Sequence, residues 1–370
     1  MDLSCRLDAM ALEDKLQQNT PLAPFTTFGI GGPARWFVEA ASESEIVEAT
    51  AWARERGLAL FVLGGGSNLL VADAGFDGLV LKIGLRGIDV EEVTETGCRM
   101  YGAAAGEDWD RFVERTVQDN CAGIECLAGI PGTVGGTPVQ NVGAYGQEVS
   151  SSIDRVRVFD LEAQDFIEFS AEECGFAYRR SRFNSVDRGR YIVTRVDYRL
   201  KANGAPTVRY ADLQRALQQE TQEAKQPSLA EVAAVVRRVR QAKGMLLVDG
   251  DADCRSAGSF FKNPIVGEEQ VRHVAAVSGK EPPRFPVGTD PANAGQVKLP
   301  AAWLIEQAGF SKGYVLGAAG VSSRHTLALI NRGGASAAQV LALADEINAA
   351  VEARFGIHLE MEPVMVGFSG

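Results

Sequence analysis

The sequence predicts an α+β protein built from two or three domains. Its 370 residues are 46% hydrophobic, which is enough for more than one core. Short apolar runs typical of buried strands recur along the chain and alternate with segments that carry helix-capping signals. Two glycine-rich segments lie between such runs, and glycine lets a backbone approach a ligand closely. The sequence therefore predicts mixed lobes with ligand-binding loops between their elements.

The first lobe is predicted to span residues 1–88. Its strands are residues 34–40, 58–63 and 80–83. A helix is expected from Ser42 to Arg56, because Ser42 and Glu45 form a capping-box pattern and Gly57 follows where a helix should end. A Gly-x-Gly-x-x-Ala match at 29–34 has no strand before it and a strand-like run after it. We therefore reject a Rossmann dinucleotide motif there.

The second lobe is predicted over residues 89–243 and a third, α/β unit over 244–355, followed by a C-terminal strand within 356–370. In the second lobe the predicted strands are 99–105, 156–159, 167–169 and 191–200, and the predicted helices are 108–119 and 228–243. In the third unit the predicted helices are 300–307 and 336–355, with a strand at 327–331. The tail at 357–366 alternates in polarity, which is typical of a strand.

The first glycine-rich segment is 63–70, Leu-Gly-Gly-Gly-Ser-Asn-Leu-Leu. Strand-like runs precede and follow it. Successive glycine N–H groups can form a concavity that binds anions. The segment is no P-loop, because no Gly-Lys-Ser/Thr follows and no helix begins there. From these residues alone, a binding loop and a simple hairpin turn are equally good interpretations.

The second glycine-rich segment runs from Gly129 to Gly146 and also contains prolines, threonines and two side-chain amides. A loop of that length is uncommon in a compact domain unless it is functional. Its many N–H donors and small side chains suit a backbone wrapped around a flat, polar ligand. The interleaved Ile130, Val134, Val139 and Val142 argue against a linker, since linkers are rarely so apolar.

Composition excludes several classes of function. The net charge of −11 disfavours nucleic acids and anionic membranes as general partners. No run approaches a membrane span, and residues 1–16 lack a signal-peptide core, so the cytoplasm is expected. The six cysteines include no Cys-x-x-Cys pair and are expected to be reduced, mostly buried thiols. Three scattered histidines without zinc-ligand spacing predict no catalytic metal, and no Gly-x-Ser-x-Gly elbow supports a serine hydrolase.

The segment Ala257–Pro264 places a serine, a lysine and an asparagine around two phenylalanines. A buried polar group without a hydrogen bond costs roughly 2–7 kcal/mol. Ser259 is therefore either bonded to the backbone or available to a ligand. On this octapeptide alone, a strand with an ordinary turn is the better interpretation.

Taken together, these segments resemble the UDP-N-acetylenolpyruvoylglucosamine reductase family. The resemblance covers nearly the whole chain, and its motifs occur in order at compatible spacing. They are residues 65–70, 130–136, 140–146, 178–181 and 257–264. The family implies two N-terminal lobes that hold FAD, in the fold shared with vanillyl-alcohol-oxidase-type flavoproteins, and a third domain for the UDP-sugar. It also implies NADPH as hydride donor and a C-terminal strand that returns to the active site.

The resemblance gives the two glycine-rich segments roles. The first would hold the FAD pyrophosphate and the second would line the isoalloxazine and the rest of FAD. The implied cofactor-binding residues are Gly64, Gly65, Gly66, Ser67, Asn68, Ile130, Pro131, Gly132, Thr133, Gly136, Thr137, Asn141, Gly143 and Ala144. This agrees with what the residues of both segments indicate by themselves.

The reaction implied is reduction of the enolpyruvyl ether of UDP-N-acetylglucosamine to UDP-N-acetylmuramate for peptidoglycan. By match to the family's motifs, Ser259 is the proton donor and Arg179 pairs with the substrate carboxylate. Glu362 helps to activate the enol ether, although Glu360 lies two positions away on the same strand face. Without the motif, Arg179 is a surface basic residue and Glu362 an exposed strand residue.

Four further positions match the family's substrate-binding residues: Tyr210, Lys243, Asn263 and Gln307. Tyr210 belongs to a loop that closes over the diphosphate in one branch of the family. Without the resemblance, Tyr210 would be a core aromatic and Gln307 a helix-end residue facing water. The acidic connection 244–255 is longer than the commonest family pattern, and we expect it to be a solvated loop.

Two rival interpretations remain from the sequence. One is an oxidase of the same fold that uses oxygen, and the motifs around Ser259 and Arg179 argue against it. The other is a UDP-sugar-binding protein that has lost turnover, which intact Ser259, Arg179 and Glu362 disfavour. One core in each lobe is consistent with a monomer.

Overall fold

The structure is a computed structural model that describes residues 12–93, 97–220, 226–287 and 295–368. It has mixed helices and strands, as expected for an α+β protein. The helices are α1 (Leu12–Lys15), α2 (Glu43–Glu55), α3 (Trp109–Gln118), α4 (Ala211–Glu220), α5 (Leu229–Ala242), α6 (Glu268–Ser278), α7 (Ala301–Gln307) and α8 (Ala337–Phe355).

The first lobe is a four-stranded sheet in the order β1-β2-β5-β3, in which β2, β5 and β3 are parallel. Its strands are β1 (Gln17–Pro21), β2 (Pro33–Ala40), β3 (Ala59–Leu63), β4 (Leu69–Val71) and β5 (Phe76–Ile83). The parallel pairs need a crossover, and α2 provides it by packing Ile46, Ala49 and Trp52 into the core. The short strand β4 lies outside this sheet, directly after the first glycine-rich segment.

The second lobe is an antiparallel sheet in the order β12-β11-β13-β7-β6, with β8 also paired to β13. Its strands are β6 (Ile88–Val93), β7 (Cys98–Ala104), β8 (Cys121–Ala122), β9 (Gly143–Ala144), β10 (Gln147–Glu148), β11 (Ile153–Asp160), β12 (Asp165–Ser170) and β13 (Tyr191–Ala202). Helix α3 closes one face through Trp109 and Phe112, whose rings pack against buried Tyr198 at centroid distances of 5.8 and 5.0 Å.

The C-terminal domain is built around α8, with two small three-stranded antiparallel sheets. Its strands are β14 (Ile265–Gly267), β15 (Phe285–Pro286), β16 (Gln296–Lys298), β17 (Val315–Leu316), β18 (Ala319–Val321), β19 (Leu329–Asn331) and β20 (Val364–Val366). One core joins the buried face of α8 to Phe260, Phe261 and Leu304. Phe28 of the first lobe belongs to the same core, so the two parts of the chain pack together.

The last strand returns to the first lobe. β20 pairs with β4 in parallel, and the Val364 N–H donates to the Asn68 carbonyl at 2.9 Å. Two side chains reinforce the contact between the domains. Asn331 donates to the Phe28 carbonyl at 3.0 Å, and Asp73 accepts from the N–H groups of the first residues of α8. The residues just before β20, including Glu362, are thereby placed beside the first glycine-rich segment.

Most helices and strands predicted from the sequence are present within a few residues of their expected ends. The tail is the main exception, because only Val364–Val366 forms a strand where alternation predicted 357–366. Proline at 363 lacks the N–H that a continuous ladder needs, and Met361 makes only an isolated bridge to Phe261. The prediction of one continuous strand is therefore wrong.

Five cysteines lie in the described part of the chain, and all five are free thiols, four of them buried. Burial raises the pKa of Cys126 and of Cys174 to about 12. Cys5, and most of the N-terminal stretch expected to lack a signal peptide, lie outside the described residues. Within the part that the structure describes, no helix is long and apolar enough to cross a membrane.

Candidate active site

Two adjoining cavities lie between the glycine-rich segments and the connection that precedes Ser259. The smaller, of about 150 Å³, we call the reaction cavity. The larger, of about 550 Å³, we call the outer cavity. Ile130, Pro131 and Leu247 line both, so the cavities are two parts of one cleft that meet at an apolar waist.

The first glycine-rich segment is pressed against the second, backbone to backbone. A Cβ on Gly65 would lie 2.5 Å from the Gly132 Cα. Gly66 has a φ of 64°, and a Cβ there would lie 1.8 Å from the Phe25 carbonyl oxygen. Only glycine satisfies both close approaches. The resulting surface is a bare backbone wall that faces the cleft, as a phosphate-binding loop requires.

The second glycine-rich segment is fixed to its own lobe by backbone bonds. Trp109 N–H donates to the Gly132 carbonyl at 3.1 Å, and Asp110 accepts from Gly129 N–H at 2.5 Å. Nine of the predicted cofactor residues line the cleft: Gly65, Ser67, Asn68, Ile130, Pro131, Gly132, Thr133, Gly143 and Ala144. The segment is therefore an ordered wall of the cleft.

The other five predicted cofactor residues do not line either cavity: Gly64, Gly66, Gly136, Thr137 and Asn141. The buried side chains of Thr137 and Asn141 bond within the protein: the Thr137 hydroxyl lies 2.6 Å from the Tyr198 hydroxyl, and Asn141 donates to Glu148 at 3.0 Å. Contact of these five residues with the cofactor stays a prediction.

The three predicted catalytic residues come from three distant parts of the chain and line the same reaction cavity: Ser259, Arg179 and Glu362. Arg179 is held in a tight turn with a φ of 54°, closed by mutual backbone bonds between Ala177 and Arg180. A residue in the left-handed region is uncommon and persists where the surroundings impose it. The turn aims the guanidinium at the cleft.

Arg179 and Glu362 form an ion pair with an unusual geometry. The Arg179 Nε lies 3.0 Å from the Glu362 Oε1, yet its N–H has no hydrogen-bond partner among the described residues. A second nitrogen of the guanidinium, Nη2, donates to the Gly143 carbonyl at 2.8 Å. Because a buried donor is costly when unpaired, the free Nε–H is suited to an incoming acceptor such as a carboxylate.

Glu362 is held by its backbone on both sides. Its N–H donates to the Phe260 carbonyl at 2.9 Å, and its carbonyl accepts from the Asn68 side chain at 3.2 Å. Burial raises the pKa of Glu362 above its ordinary value, while the charges of Arg179 and Lys262 oppose the rise. The Glu362 carboxyl therefore lies beside the first glycine-rich segment and holds its proton more tightly than it would in water.

Glu360 and Glu362 are clearly separated in space. Glu360 is exposed, and its carboxylate pairs with Lys262 at 2.5 Å, outside the cavities. Glu362 lines the reaction cavity. The structure therefore places Glu362, and not Glu360, at the reaction cavity, and the catalytic role of Glu362 stays a prediction.

The backbone around Ser259 is fixed while its hydroxyl is free. Gly258 has a φ of 75°, and the Phe260 N–H donates to the Leu327 carbonyl at 2.8 Å. Within the described residues, no hydrogen bond joins the Ser259 hydroxyl to the protein. Of the two possibilities that the sequence left open, the structure supports the one in which the hydroxyl is available to a ligand.

None of the four predicted substrate residues lines either part of the cleft. Tyr210 packs edge-on against Tyr145 at 5.8 Å, beside the second glycine-rich segment. Lys243 ends α5, next to Gly244 of the cavity wall. Asn263 accepts from the first N–H of α7 at 2.9 Å, and Gln307 is the last residue of that helix.

Sequence reasoning missed one cation in the reaction cavity and another beside Tyr178. Arg240 is buried, lines the reaction cavity, and donates to the carbonyls of Gly129 and Met245 at 3.0 and 2.7 Å. The amine of Lys298 lies 4.0 Å from the centroid of the Tyr178 ring, and burial first, then Arg179, lowers its pKa. The sequence did contain a signal for Arg240: it lies four residues after Val236, on the apolar face of α5, where an arginine is expected to be buried and paired.

The acidic connection 244–255, which was expected to be a solvated loop, is exposed over residues 247–250 and buried at Asp253 and Cys254. Asp253 is buried and accepts from the N–H and the hydroxyl of Ser323 at 2.9 and 2.6 Å. Asp251 pairs with Arg324 at 2.7 Å. Asp251 and Asp253 are thus paired with Arg324 and Ser323, and neither carboxylate lines the reaction cavity.

The cleft fits a flavin nucleotide on two observations. The backbone wall of Gly65 and Gly132 suits a diphosphate, and the apolar waist of Ile130, Pro131 and Leu247 suits a flat ring. FAD would be held by the cleft-lining residues of the two glycine-rich segments. It would bring a hydride carrier to the side of the cleft that Ser259 and Glu362 line.

Replacing Gly65 by alanine tests the backbone contact between the two segments. The added Cβ must displace the Gly132 backbone, so we expect FAD affinity to fall at least tenfold and the free energy of unfolding to fall by about 1–3 kcal/mol. Titration of the apoprotein with FAD measures the first effect. Gly267→Ala is the control, since nothing lies within 4 Å of a Cβ there. Unchanged FAD affinity in Gly65→Ala would contradict the close packing.

Comparison with known proteins gives consistent matches along nearly the whole chain. Residues 250–366 match the model of the UDP-N-acetylenolpyruvoylglucosamine reductase C-terminal domain, and residues 34–164 match an FAD binding domain. The UDP-N-acetylenolpyruvoylglucosamine reductase of Thermobifida fusca is 47% identical, over 95% of this chain and 98% of that protein. That of Streptomyces coelicolor is 45% identical, over 94% and 90%.

A solved structure agrees with the sequence matches. The UDP-N-acetylenolpyruvylglucosamine reductase of Thermus caldophilus superposes with a TM-score of 0.64 at 26% identity, covering 95% of this chain and 99% of that one. The expectation of an α+β fold with an FAD-binding module and a C-terminal domain is confirmed.

Proposed function

Since this chain belongs to the UDP-N-acetylenolpyruvoylglucosamine reductase family, it is an FAD-dependent oxidoreductase of peptidoglycan precursor synthesis, and we propose that Ser259, Arg179 and Glu362 are its catalytic residues. The reaction converts the enolpyruvyl ether of UDP-N-acetylglucosamine to UDP-N-acetylmuramate with electrons from NADPH. The observation that carries the assignment is their convergence on one cavity, beside the wall that fits FAD.

The reduction adds a hydride and a proton across the enol ether double bond. FAD, when bound, supplies the hydride that it has accepted from NADPH, and the hydride goes to the terminal carbon. The Ser259 hydroxyl, free in the cavity, donates the proton to the adjacent carbon. An alkyl hydroxyl is a weak acid, so the proton it gives up must be replaced from solvent or a neighbouring group before the next turnover.

Arg179 and Glu362 act on the substrate carboxylate, which is attached to the carbon that receives the proton. Negative charge develops on the substrate carboxylate as the hydride arrives, and preorganised charges aimed at such a group usually give the largest rate effect. The unpartnered Nε–H of Arg179 is the donor for that carboxylate. Glu362, whose raised pKa favours its protonated form, shares the developing charge and keeps the guanidinium in place.

The substrate nucleotide is proposed to lie beside the reaction cavity, against Tyr210, Lys243, Asn263 and Gln307. The base of the Tyr210 loop is anchored by buried Glu125, which accepts from Thr207 N–H at 3.1 Å and from Gln147 at 2.9 Å. An anchored base and an aromatic tip against Tyr145 suit a loop that closes over a bound diphosphate. Lys243 supplies a positive charge for the phosphates.

The chain is proposed to consist of two FAD-binding lobes at 1–88 and 89–243, a UDP-sugar domain at 244–355, and a C-terminal segment at 356–370. The sheet boundaries support this division, because the first lobe's sheet ends at Ile83 and the second begins at Ile88. We also propose that the enzyme acts as a monomer in the cytoplasm, where NADPH and UDP-sugars are available.

An anaerobic experiment in two steps tests the function. The FAD-loaded protein is reduced with NADPH, enolpyruvyl-UDP-N-acetylglucosamine is added, and flavin absorbance is followed. We expect prompt return of the oxidised spectrum and formation of UDP-N-acetylmuramate. A flavin that stays reduced until oxygen is admitted would favour an oxidase, and one that NADPH never reduces would favour a protein that binds the UDP-sugar without turnover.

A further inference from the structure

The connection Gly244–Cys254, which we call the strap, crosses the waist where the two cavities meet. Leu247 lines both cavities, Gly244 and Met245 line the reaction cavity, and Leu246 lines the outer cavity. Leu247 is also 52% exposed, so its side chain is only partly covered by the protein. An apolar side chain placed across the middle of a ligand cleft is suited to cover something apolar.

Polar contacts hold the strap at several points and leave its leucines free. The Arg240 guanidinium donates to the Met245 carbonyl at 2.7 Å, and the Cys254 thiol lies 2.7 Å from the Leu246 carbonyl. At the far end Arg324 pairs with Asp251 at 2.7 Å and with Asp253 at 3.3 Å. Every one of these bonds uses backbone or a carboxylate, so the strap is positioned while Met245, Leu246 and Leu247 line the cleft.

The opposite side of the waist is apolar as well. Ile130 and Pro131 belong to the second glycine-rich segment and line both cavities, as Leu247 does. Together the three residues form an apolar passage between the backbone wall of Gly65 and Gly132 and the cavity of Ser259. A ligand long enough to contact both ends must pass through it, and a flat aromatic ring would bury the exposed face of Leu247.

We propose that Leu247 is a cofactor-binding residue and that the strap retains FAD by covering it at the waist. This inference rests on the proposed placement of FAD in the cleft. It assigns a role to the segment whose length departs from the commonest family pattern. Arg324 is a positioning residue in this scheme, because it holds the strap through Asp251 and Asp253 without lining either cavity.

The next residue provides a matched control. Val248 is 37% exposed and lies on the same strap, but it lines neither cavity. Val248→Ser therefore makes the same kind of change, apolar to hydroxyl, at the neighbouring position. Any effect of Leu247→Ser that Val248→Ser does not share belongs to the cleft-facing side chain.

The test measures FAD release from the holoenzyme without turnover. FAD-loaded wild type, Leu247→Ser, Val248→Ser and Arg324→Gln are diluted, and FAD in the filtrate is followed over time by fluorescence. We expect Leu247→Ser to lose FAD about tenfold faster than wild type, equivalent to about 1.4 kcal/mol. Arg324→Gln should also lose FAD faster, and Val248→Ser should match wild type.

Equal release rates in Leu247→Ser and Val248→Ser would overturn the proposal, and so would a wild type that retains no FAD. The unfolding temperatures of the apoproteins should coincide for the two serine variants, which separates cofactor contact from damage to the fold. The outcome does not depend on the substrate. Failure of enol ether reduction with normal FAD retention would count against the proposed function and leave the role of Leu247 intact.

Discussion

Replacing Ser259 by alanine is expected to slow reduction of the enol ether by about 10²–10⁴-fold, the usual contribution of a positioned acid. No hydrogen bond joins this hydroxyl to the described protein, and Gly258 and Phe260 fix its backbone. Its removal should therefore leave the fold and the FAD wall unchanged. Stopped-flow absorbance of the NADPH-reduced enzyme mixed with substrate measures the effect.

The first half-reaction serves as the internal control for this variant. Reduction of bound FAD by NADPH needs no proton donor to the substrate, so its rate should stay within about twofold of wild type. Ser259→Cys retains a proton donor, because a thiol with a pKa of about 8.5 is a stronger acid than an alkyl hydroxyl. Ser259→Cys should therefore be faster than Ser259→Ala in reduction of the enol ether. If Ser259→Ala slows both half-reactions equally, Ser259 positions the ligands and is not the acid.

The helix ends could be predicted because their signals are local. Ser228 and Glu231 form a full capping box at the start of α5. Ser42 accepts from Glu45 N–H at 3.3 Å as expected, but the Glu45 carboxylate instead accepts from Ala41 N–H and pairs with Lys15. Capping geometry depends on a few neighbouring residues. The start of α2 was therefore predicted correctly, although the Glu45 carboxylate does not accept from Ser42 N–H as a full capping box requires.

The order of strands could not be predicted from the sequence, because strand pairing is set by contacts between distant residues. β13 pairs with both β7 and β11, and nothing local to β13 specifies either neighbour. The parallel pair of β20 and β4 joins residues almost three hundred positions apart. That pair decides where Glu362 lies, so the position of this proposed site residue could not be predicted from local sequence.

The proposed catalytic residues were predicted by motif, while the groups that hold them were missed. Asn68 was expected to contact FAD, and its amide also donates to the Glu362 carbonyl. Arg240 matched no motif, yet it joins the second glycine-rich segment to the strap. A motif records which side chains meet the ligand. Contacts that position those side chains run through backbone carbonyls, which leave little trace in the sequence.

Replacing Arg179 by lysine should be nearly as harmful as removing its charge. Lysine keeps the positive charge but loses the fork that donates to Gly143 while presenting an Nε–H to the cavity. We expect reduction of the enol ether to slow by about 10²–10³-fold in Arg179→Lys, the range seen when one preorganised donor is lost. Glu362→Gln should fall in the same range, and FAD reduction by NADPH should change little in either.

The neighbouring ion pair is the matched control for this test. Glu360 lies two positions before Glu362 in the sequence, and it pairs with Lys262 outside the cavities. Glu360→Gln should therefore keep the rate within about twofold of wild type, as expected for an exposed pair of small energetic value. A large loss in Glu360→Gln with little loss in Glu362→Gln would reverse the assignment of the two glutamates.

The pH dependence of enol ether reduction should show whether the Glu362 carboxyl is the group that titrates. The charge of Arg179 opposes the burial that raises the pKa of Glu362, so its loss must raise that pKa further. In single-turnover reduction of the enol ether, wild type should show a group titrating above the ordinary glutamate pKa of about 4.3. In Arg179→Met the midpoint of this titration should move to higher pH, and in Glu362→Gln the titration should vanish.

Because the two residues are proposed to act as one unit, the rate loss in the double variant should be smaller than the product of the losses in the two single variants. Multiplicative losses and an unmoved midpoint would show that Arg179 and Glu362 act independently.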